Sequence, residues 1–102
     1  MIALIEQNRT RIEQLCRQFR VKRLELFGSA AAGGFEEGRS DLDFLVEFFP
    51  SDPKQHAHSY LNLLVELENL FGRRIDLLEV KAVQNPYLME SINQNRIELY
   101  AA

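Results

Sequence analysis

Two aspartates, Asp41 and Asp43, stand at the start of a run that is rich in Phe, Leu and Val. The run predicts a β-strand, and because side chains alternate across a strand, both carboxylates should face the same side. Adjacent carboxylates repel each other unless a cation lies between them. Mg²⁺ suits such a place because it takes carboxylate and phosphate oxygens together. Ser40 directly precedes the pair and could orient it by hydrogen bonding, although an Asp-x-Asp pair alone also fits a solvated acidic turn.

A second candidate segment lies upstream, where the short strand 21–27 runs into Gly28 and Ser29. A glycine lets a phosphate approach the backbone closely, and the unpaired amides at the start of a helical turn attract anions. The Ser29 hydroxyl adds one more donor. Taken alone, this segment is also typical of an ordinary helix N-cap, but together with Asp41 and Asp43 it predicts one phosphate and metal site.

A third carboxylate, Asp76, lies inside the apolar strand 75–80, where burial of an unpaired charge is costly. A metal ion shared by Asp41, Asp43 and Asp76 would explain this position, and a strand with one polar face is the alternative. His56 and His58 have no carboxylate or cysteine at metal-ligand spacing, and we expect them to be surface residues.

The elements that must position these side chains follow from the spacing of apolar residues and from the turn residues between them. Their order is α, β, short α, β, α, β, α with a final extended piece, which predicts one α+β (mixed α/β) domain over residues 1–102, with a mixed β-sheet packed with helices. The predicted elements are a helix carrying Ile5, Ile12, Leu15, Cys16 and Phe19, a strand at 21–27, a helical turn at 30–32 ended by Gly33 and Gly34, a loop at 35–40, a strand at 41–49, a helix with an apolar face from Tyr60 to Phe71, a strand at 75–80, a helix starting at Asn85 and an extended piece at 97–100.

Composition narrows the possible functions. The 102 residues carry a net charge of −3, which argues against direct nucleic-acid binding through phosphate neutralisation and against attraction to an anionic membrane. No apolar run is long enough to span a bilayer, and charged residues near the start exclude a signal peptide. The single cysteine, Cys16, cannot form an internal disulfide and is expected to be buried, which fits a cytoplasmic protein.

Three segments together resemble a known superfamily: Leu26-Phe27-Gly28-Ser29, Ser40-Asp41-Leu42-Asp43-Phe44-Leu45-Val46-Glu47-Phe48, and Ile75-Asp76-Leu77. The chain resembles the DNA polymerase beta-like nucleotidyltransferases, and it looks closest to the minimal nucleotidyltransferases, called MntA-type antitoxins when paired with a HEPN-domain toxin. The resemblance extends over nearly the whole chain and implies a small nucleotidyltransferase fold.

The same resemblance implies roles for the candidate residues. Asp41 and Asp43 would hold one or two Mg²⁺ ions that bridge the triphosphate of ATP, and Gly28 and Ser29 would contact its β- and γ-phosphates. Asp76 would ligate the second metal ion and help deprotonate the attacking hydroxyl. The implied reaction is transfer of AMP (AMPylation) to a tyrosine hydroxyl of the partner toxin, which would silence it.

One position departs from the family pattern. Many relatives carry a basic residue shortly after the Gly-Ser pair, where this chain has Ala32. A missing guanidinium would remove a bidentate phosphate contact. Arg39, Arg73 or Arg74 could replace it, although arginines on a solvated face are the simpler interpretation.

Two further functions compete with the enzyme hypothesis. The chain could be a catalytically weak nucleotide-binding module that neutralises a toxin by direct contact, which Ala32 favours. It could also transfer nucleotides to small molecules, although such relatives carry a second domain for the acceptor. The complete set of three aspartates, glycine and serine favours the enzyme.

Overall fold

Four β-strands form one mixed sheet in the computed structural model, which describes residues 3–32 and 41–102. Helices precede, connect and follow these strands. In chain order the elements are α1 (Ala3–Gln7), α2 (Arg9–Gln18), β1 (Val21–Phe27), α3 (Gly28–Ala32), β2 (Leu42–Phe48), α4 (Pro53–Phe71), β3 (Ile75–Glu79), one 3₁₀ turn (Val80–Ala82), α5 (Pro86–Gln94) and β4 (Ile97–Ala101).

The strand order in the sheet is β3-β2-β1-β4. β1 runs antiparallel to β2 and to β4, whereas β2 and β3 are parallel. Parallel neighbours need a crossover connection, and α4 supplies it between β2 and β3. Because β2 and β3 run in the same direction, their first residues lie side by side at one end of the sheet, next to the last residue of β1.

One face of the sheet carries the main core, against which α2 and α4 pack. Alternate residues of each strand point into it, and burial of their apolar surface is the main source of stability. The fully buried members with the largest side chains include Ile12, Leu15, Leu24, Leu26, Leu42, Phe44, Leu63 and Leu67.

The opposite face is covered by α5 through a smaller cluster. Ile92 of α5 packs with Phe27 of β1 and Leu45 of β2, with Leu78 and Val80 at the margin. The first residues of β2 and β3 lie beyond this cluster, and their polar side chains are only partly buried. The second face therefore has an apolar part under α5 and a polar part at the end where β2 and β3 begin.

Sharp helix ends fix the direction of the crossover. The Asp52 side chain caps α4 by accepting a hydrogen bond from the Gln55 amide, and Pro53 occupies the first turn. Gly72 ends α4 in the left-handed conformation with φ +62°. The chain can therefore turn at once into β3 beside β2.

The predicted fold class, a mixed sheet packed with helices, is confirmed. The N-terminal helix is divided at Asn8 into α1 and α2, the second strand begins at Leu42 rather than Asp41, and the third ends at Glu79 because Val80 starts the 3₁₀ turn. α3 includes Gly28, which was predicted to lie in a break before the turn. The predicted ending of this turn at Gly33 and the loop at 35–40 lie outside the described residues.

Within residues 3–32 and 41–102, none of the helices has both the length and the apolar character needed to cross a membrane.

Candidate active site

Asp43 and Asp76 are direct neighbours across the parallel pair β2–β3. The position of Asp43 follows from its flanking residues, since Leu42 and Phe44 are fully buried in the main core and the intervening side chain must face the other way. The same alternation applies to Asp76, because Ile75 and Leu77 on either side of it are buried. Sequence alternation and strand register together bring the two carboxyl groups onto one face.

Asp43 shares a hydrogen bond with Asp76, and this contact perturbs Asp43. Burial, the hydrogen bond to Asp76 and the negative charges of Asp76 and Asp41 raise the pKa of Asp43 from 3.8 to about 6. A hydrogen bond between two carboxyl groups needs a proton on one of them, so the contact is favourable only while the pair holds a proton. A bound cation could take the place of that proton.

Asp41 lies just before β2 and is exposed. It is two residues from Asp43, so it lies towards the same face, and its charge contributes to the raised pKa of Asp43. In the part of the chain that the structure describes, no three His, Cys, Asp or Glu side chains are close enough together to hold a metal ion. The structure thus brings two of the three predicted ligands into contact, and Asp41 remains at the solvent-exposed edge.

The backbone of Gly28 closes the other side of Asp43. Gly28 follows Phe27, which pairs with Asp43, and it has φ +72°. A Cβ atom built on Gly28 would lie 2.3 Å from Asp43 Oδ2, so only glycine fits here. Ser29 follows with an exposed side chain at the start of α3. The structure therefore places the Gly-Ser segment directly beside the carboxylate pair.

The chemistry of these groups fits a hard divalent cation with a phosphate ligand. The donors at the site are carboxylate oxygens, which Mg²⁺ prefers, and Asp43 and Asp76 are already held side by side by the sheet. The absence of a side chain at Gly28 leaves room for the Asp43 carboxylate beside the backbone. Ser40, the remaining predicted site residue, lies outside the described residues.

Other residues considered from the sequence lie elsewhere or differ from expectation. Cys16 is fully buried, and burial raises the pKa of its thiol to about 12, as expected of an unreactive structural cysteine. His56 has a carboxylate partner that spacing did not reveal: its Nε2 lies 2.5 Å from Glu79 Oε1. His58 is exposed, as predicted, and its ring nitrogen lies 3.2 Å from the side-chain amide of Asn62.

The His56–Glu79 contact belongs to a different region of the molecule. It lines a cavity of about 200 Å³ at the far end of β2, together with Phe48, Pro50 and Lys81. The Tyr60 hydroxyl, also on α4, donates a hydrogen bond of 2.7 Å to the Leu77 carbonyl of β3. Both contacts tie α4 to β3, and only the three-dimensional pairing of these elements could have revealed them.

Comparison with known families gives a clear assignment. A family model described as "Nucleotidyltransferase domain" matches residues 9–99. The chain belongs to the nucleotidyltransferase domain family. The matched span includes all the described candidate site residues, namely Gly28, Ser29, Asp41, Asp43 and Asp76.

Individual relatives agree with this family. A Methanocaldococcus jannaschii protein named "Putative protein adenylyltransferase MJ1379" is 38% identical over 80 residues, which are 78% of each protein. A solved structure named "putative minimal nucleotidyltransferase" is 30% identical, has a TM-score of 0.75 and covers 94% of this chain and 95% of its own. These two similarities show that the chain is a nucleotidyltransferase with the minimal fold of the family.

A more distant structure shares the fold alone. It is named as a tri-AMPylated HEPN toxin of Shewanella oneidensis in complex with the MNT antitoxin, and the matched chain is 18% identical to this protein. The TM-score is 0.65, and the match covers 95% of this chain and 72% of the other. The fold of this nucleotidyltransferase therefore also occurs in a toxin–antitoxin complex.

Proposed function

We propose that this nucleotidyltransferase transfers AMP from ATP, with Mg²⁺, to a tyrosine hydroxyl of a partner HEPN-domain toxin and so acts as its antitoxin. The observation that carries the proposal is the contact between Asp43 and Asp76 against the backbone of Gly28. It combines a pair of acidic ligands with a Gly-Ser segment that lies directly against one of them. The name of the Methanocaldococcus jannaschii relative supports protein adenylylation as the reaction class.

The metal would be held by the three aspartates. Asp43 and Asp76 are in contact in the described structure, and Asp41 is an exposed neighbour on the same strand edge that could complete the set. One or two Mg²⁺ ions would suit these oxygen ligands. When bound, Mg²⁺ supplies positive charge for the triphosphate and for the oxygens that attack and leave.

The remaining roles fall to groups of the chain itself. Gly28 would admit the β- and γ-phosphates close to the backbone, and the exposed Ser29 hydroxyl would donate a hydrogen bond to them. Asp76 would accept the proton of the acceptor hydroxyl, and the oxygen of that hydroxyl would attack the α-phosphorus. The bond from the α-phosphorus to the oxygen that bridges to the β-phosphate would break, and pyrophosphate would leave. Ser40 would orient the aspartates.

The partner is proposed from the shared fold and from the position of the site. Asp43 and Asp76 lie on the face of the sheet that α5 covers only in part, and among the described residues both keep some exposure through which an acceptor side chain would approach. In the structure named as an AMPylated HEPN toxin with its antitoxin, a protein of this fold is part of a complex with such a toxin. A single, buried Cys16 is consistent with action in the cytoplasm, and the net charge of −3 does not favour a nucleic-acid substrate.

A second candidate function is neutralisation of the toxin by contact alone. Ala32 favours it, because this exposed last residue of α3 cannot supply a positive charge to the phosphates. The retained carboxylate pair favours the enzyme, since placing two acidic groups side by side reduces stability and a binding module gains nothing from it.

The test is a calorimetric titration of the purified protein with ATP and Mg²⁺, beside an Asp41→Asn/Asp43→Asn double variant. We expect Mg²⁺-dependent binding in the wild type and none in the double variant. Glu47→Gln is the matched control, because Glu47 lies on the same strand and outside the carboxylate pair. Transfer is then followed with labelled ATP and the partner toxin, with loss of label when the acceptor tyrosine is replaced.

The two candidate functions give opposite results. An enzyme binds the nucleotide and labels the partner, whereas a contact-only antitoxin neutralises the toxin equally well with both aspartates replaced. Absence of ATP binding by a folded wild type, alone and with the partner present, would refute the enzyme.

A further inference from the structure

Arg74 lies at the edge of the carboxylate site although it is not part of a strand. The parallel register pairs Leu42 with Ile75 and Asp43 with Asp76. Arg74 and Asp41 are the residues that directly precede this first pair. The Ile75 side chain is buried in the main core, and from the alternation of an extended chain we infer that Arg74 shares the other face with Asp76.

Among the described residues, the Arg74 guanidinium has no partner. The side chain is exposed, and it makes no hydrogen bond or ion pair with any residue in the ranges 3–32 and 41–102. Two other arginines at or beside strands are engaged: Arg96 holds Glu25, and Arg23 lies 2.9 Å from Glu98. Arg74, exposed and one residue before β3, is engaged with none of the described side chains and remains available for a ligand.

The charge of the proposed complex requires such a residue. Asp41, Asp43 and Asp76 contribute three negative charges once a metal ion has displaced the shared proton, and a fully ionised ATP contributes about four more. Two Mg²⁺ ions would offset only four of these charges. A guanidinium matches phosphate geometry with two parallel hydrogen bonds, which makes arginine the most suitable side chain for the remaining charge.

We propose that Arg74 is a phosphate-binding residue of this site and contacts the β- and γ-phosphates, which leave as pyrophosphate. The inference rests on the proposed function, since it assumes that a nucleoside triphosphate binds beside Asp43 and Asp76. It also assigns a source for the positive charge that Ala32 does not provide. In this arrangement the positive charge next to the phosphates is supplied by the residue before β3 and not by a residue of α3.

Calorimetric titration of Arg74→Gln with ATP, pyrophosphate and AMP, each with Mg²⁺, tests the assignment. We expect the affinity for ATP and for pyrophosphate to fall about tenfold to a hundredfold, the loss produced by removing a charge-assisted hydrogen bond. The affinity for AMP, which lacks both phosphates, should stay unchanged. Arg74→Lys should recover part of the loss, because lysine restores the positive charge but cannot form the two parallel hydrogen bonds of a guanidinium.

The matched control is Arg17→Gln on α2, which removes one exposed arginine from a helix that packs on the opposite face of the sheet. It should leave all three affinities at the wild-type value, and the thermal midpoint of both arginine variants should equal that of the wild type. A further readout is salt dependence, because the ATP affinity of Arg74→Gln should fall less steeply with ionic strength than that of the wild type.

Failure of the inference and failure of the proposed function differ in their results. Wild-type binding of ATP with an unchanged affinity in Arg74→Gln would overturn the role of Arg74 alone. If that variant instead bound the partner protein more weakly, Arg74 would belong to the protein interface. An equal loss of affinity for ATP and AMP would also overturn the phosphate contact. Absence of ATP binding by the wild type would overturn both proposals.

Discussion

Replacing Asp43 with asparagine should stabilise the folded protein at neutral pH and abolish the proposed nucleotide binding. An ionised Asp43 lies against Asp76 and near Asp41, and this crowding opposes folding. Asparagine has nearly the same shape, and its amide group can donate a hydrogen bond to the Asp76 carboxylate. The substitution therefore removes the repulsion while retaining the contact, but it also removes a negatively charged metal ligand.

The magnitude follows from the pKa of Asp43, which rises from 3.8 to about 6 in the folded protein. A difference of this size corresponds to an upper limit of about 3 kcal/mol in unfolding free energy when the group is ionised in both states. Because Asp43 is only partly buried, solvent screening reduces this to about 1–2 kcal/mol. The folded state binds the proton more tightly, so the penalty is complete above about pH 7 and disappears as the pH falls towards 3.8.

The assay is urea denaturation of wild type and Asp43→Asn at pH 8 and at pH 4.5, without metal ions. We expect the variant to be more stable by about 1–2 kcal/mol at pH 8 and the difference to become much smaller at pH 4.5. Glu47→Gln, the control on the same strand, should show no such pH-dependent gain. Equal or lower stability of Asp43→Asn at pH 8, or a difference that grows on acidification, would refute the reasoning.

Two other predictions concern the backbone and a buried ion pair. Gly28→Ala should lower the unfolding free energy by more than Gly72→Ala. Both residues have positive φ, which costs about 1–2 kcal/mol for alanine. Only the Cβ added at Gly28 would also meet Asp43, with Oδ2 at 2.3 Å. Urea denaturation measures both costs, and equal values would contradict the contact; ATP binding should be lost only in Gly28→Ala. Arg96→Met should cost about 2–4 kcal/mol because it leaves the Glu25 carboxylate, 7% exposed, without its partner. The Glu25→Leu/Arg96→Met double variant should recover most of this loss in the same assay. If Arg96→Met alone cost less than about 1 kcal/mol, the pair would contribute no more than a surface ion pair.

Local patterns explain why much of the fold could be predicted. The alternation of Leu42, Phe44 and Val46 with Asp43 determines the inward and outward faces of β2 whatever its neighbours are. Gly72 directly follows the apolar face predicted from Tyr60 to Phe71, and a glycine favours the left-handed conformation seen at this helix end. Such signals act within a few residues, so a single sequence contains them in readable form.

The contacts between distant elements could not be predicted in the same way. The sequence contains both Asp43 and Asp76, but their adjacency depends on a parallel register that α4 creates across more than thirty residues. The His56–Glu79 contact depends on the rotation of α4 against β3, which apolar spacing does not specify. The division of the first helix at Asn8 is also local, yet asparagine within a polar stretch gives no unambiguous signal to break a helix.

The geometry around Asp43 links its cost in stability to its proposed role. β2 lies between β1 and β3, so Asp43 meets the Gly28 backbone on one side and Asp76 on the other. Sheet pairing fixes the backbones of both neighbours and so keeps the two carboxyl groups close. A proton or a cation relieves their repulsion, and these compete for the same oxygens. The repulsion that Asp43→Asn relieves therefore arises between the same two carboxyl groups that would bind Mg²⁺. If Asp43→Asn gained stability and still bound the nucleotide, this link between stability and metal binding would be wrong.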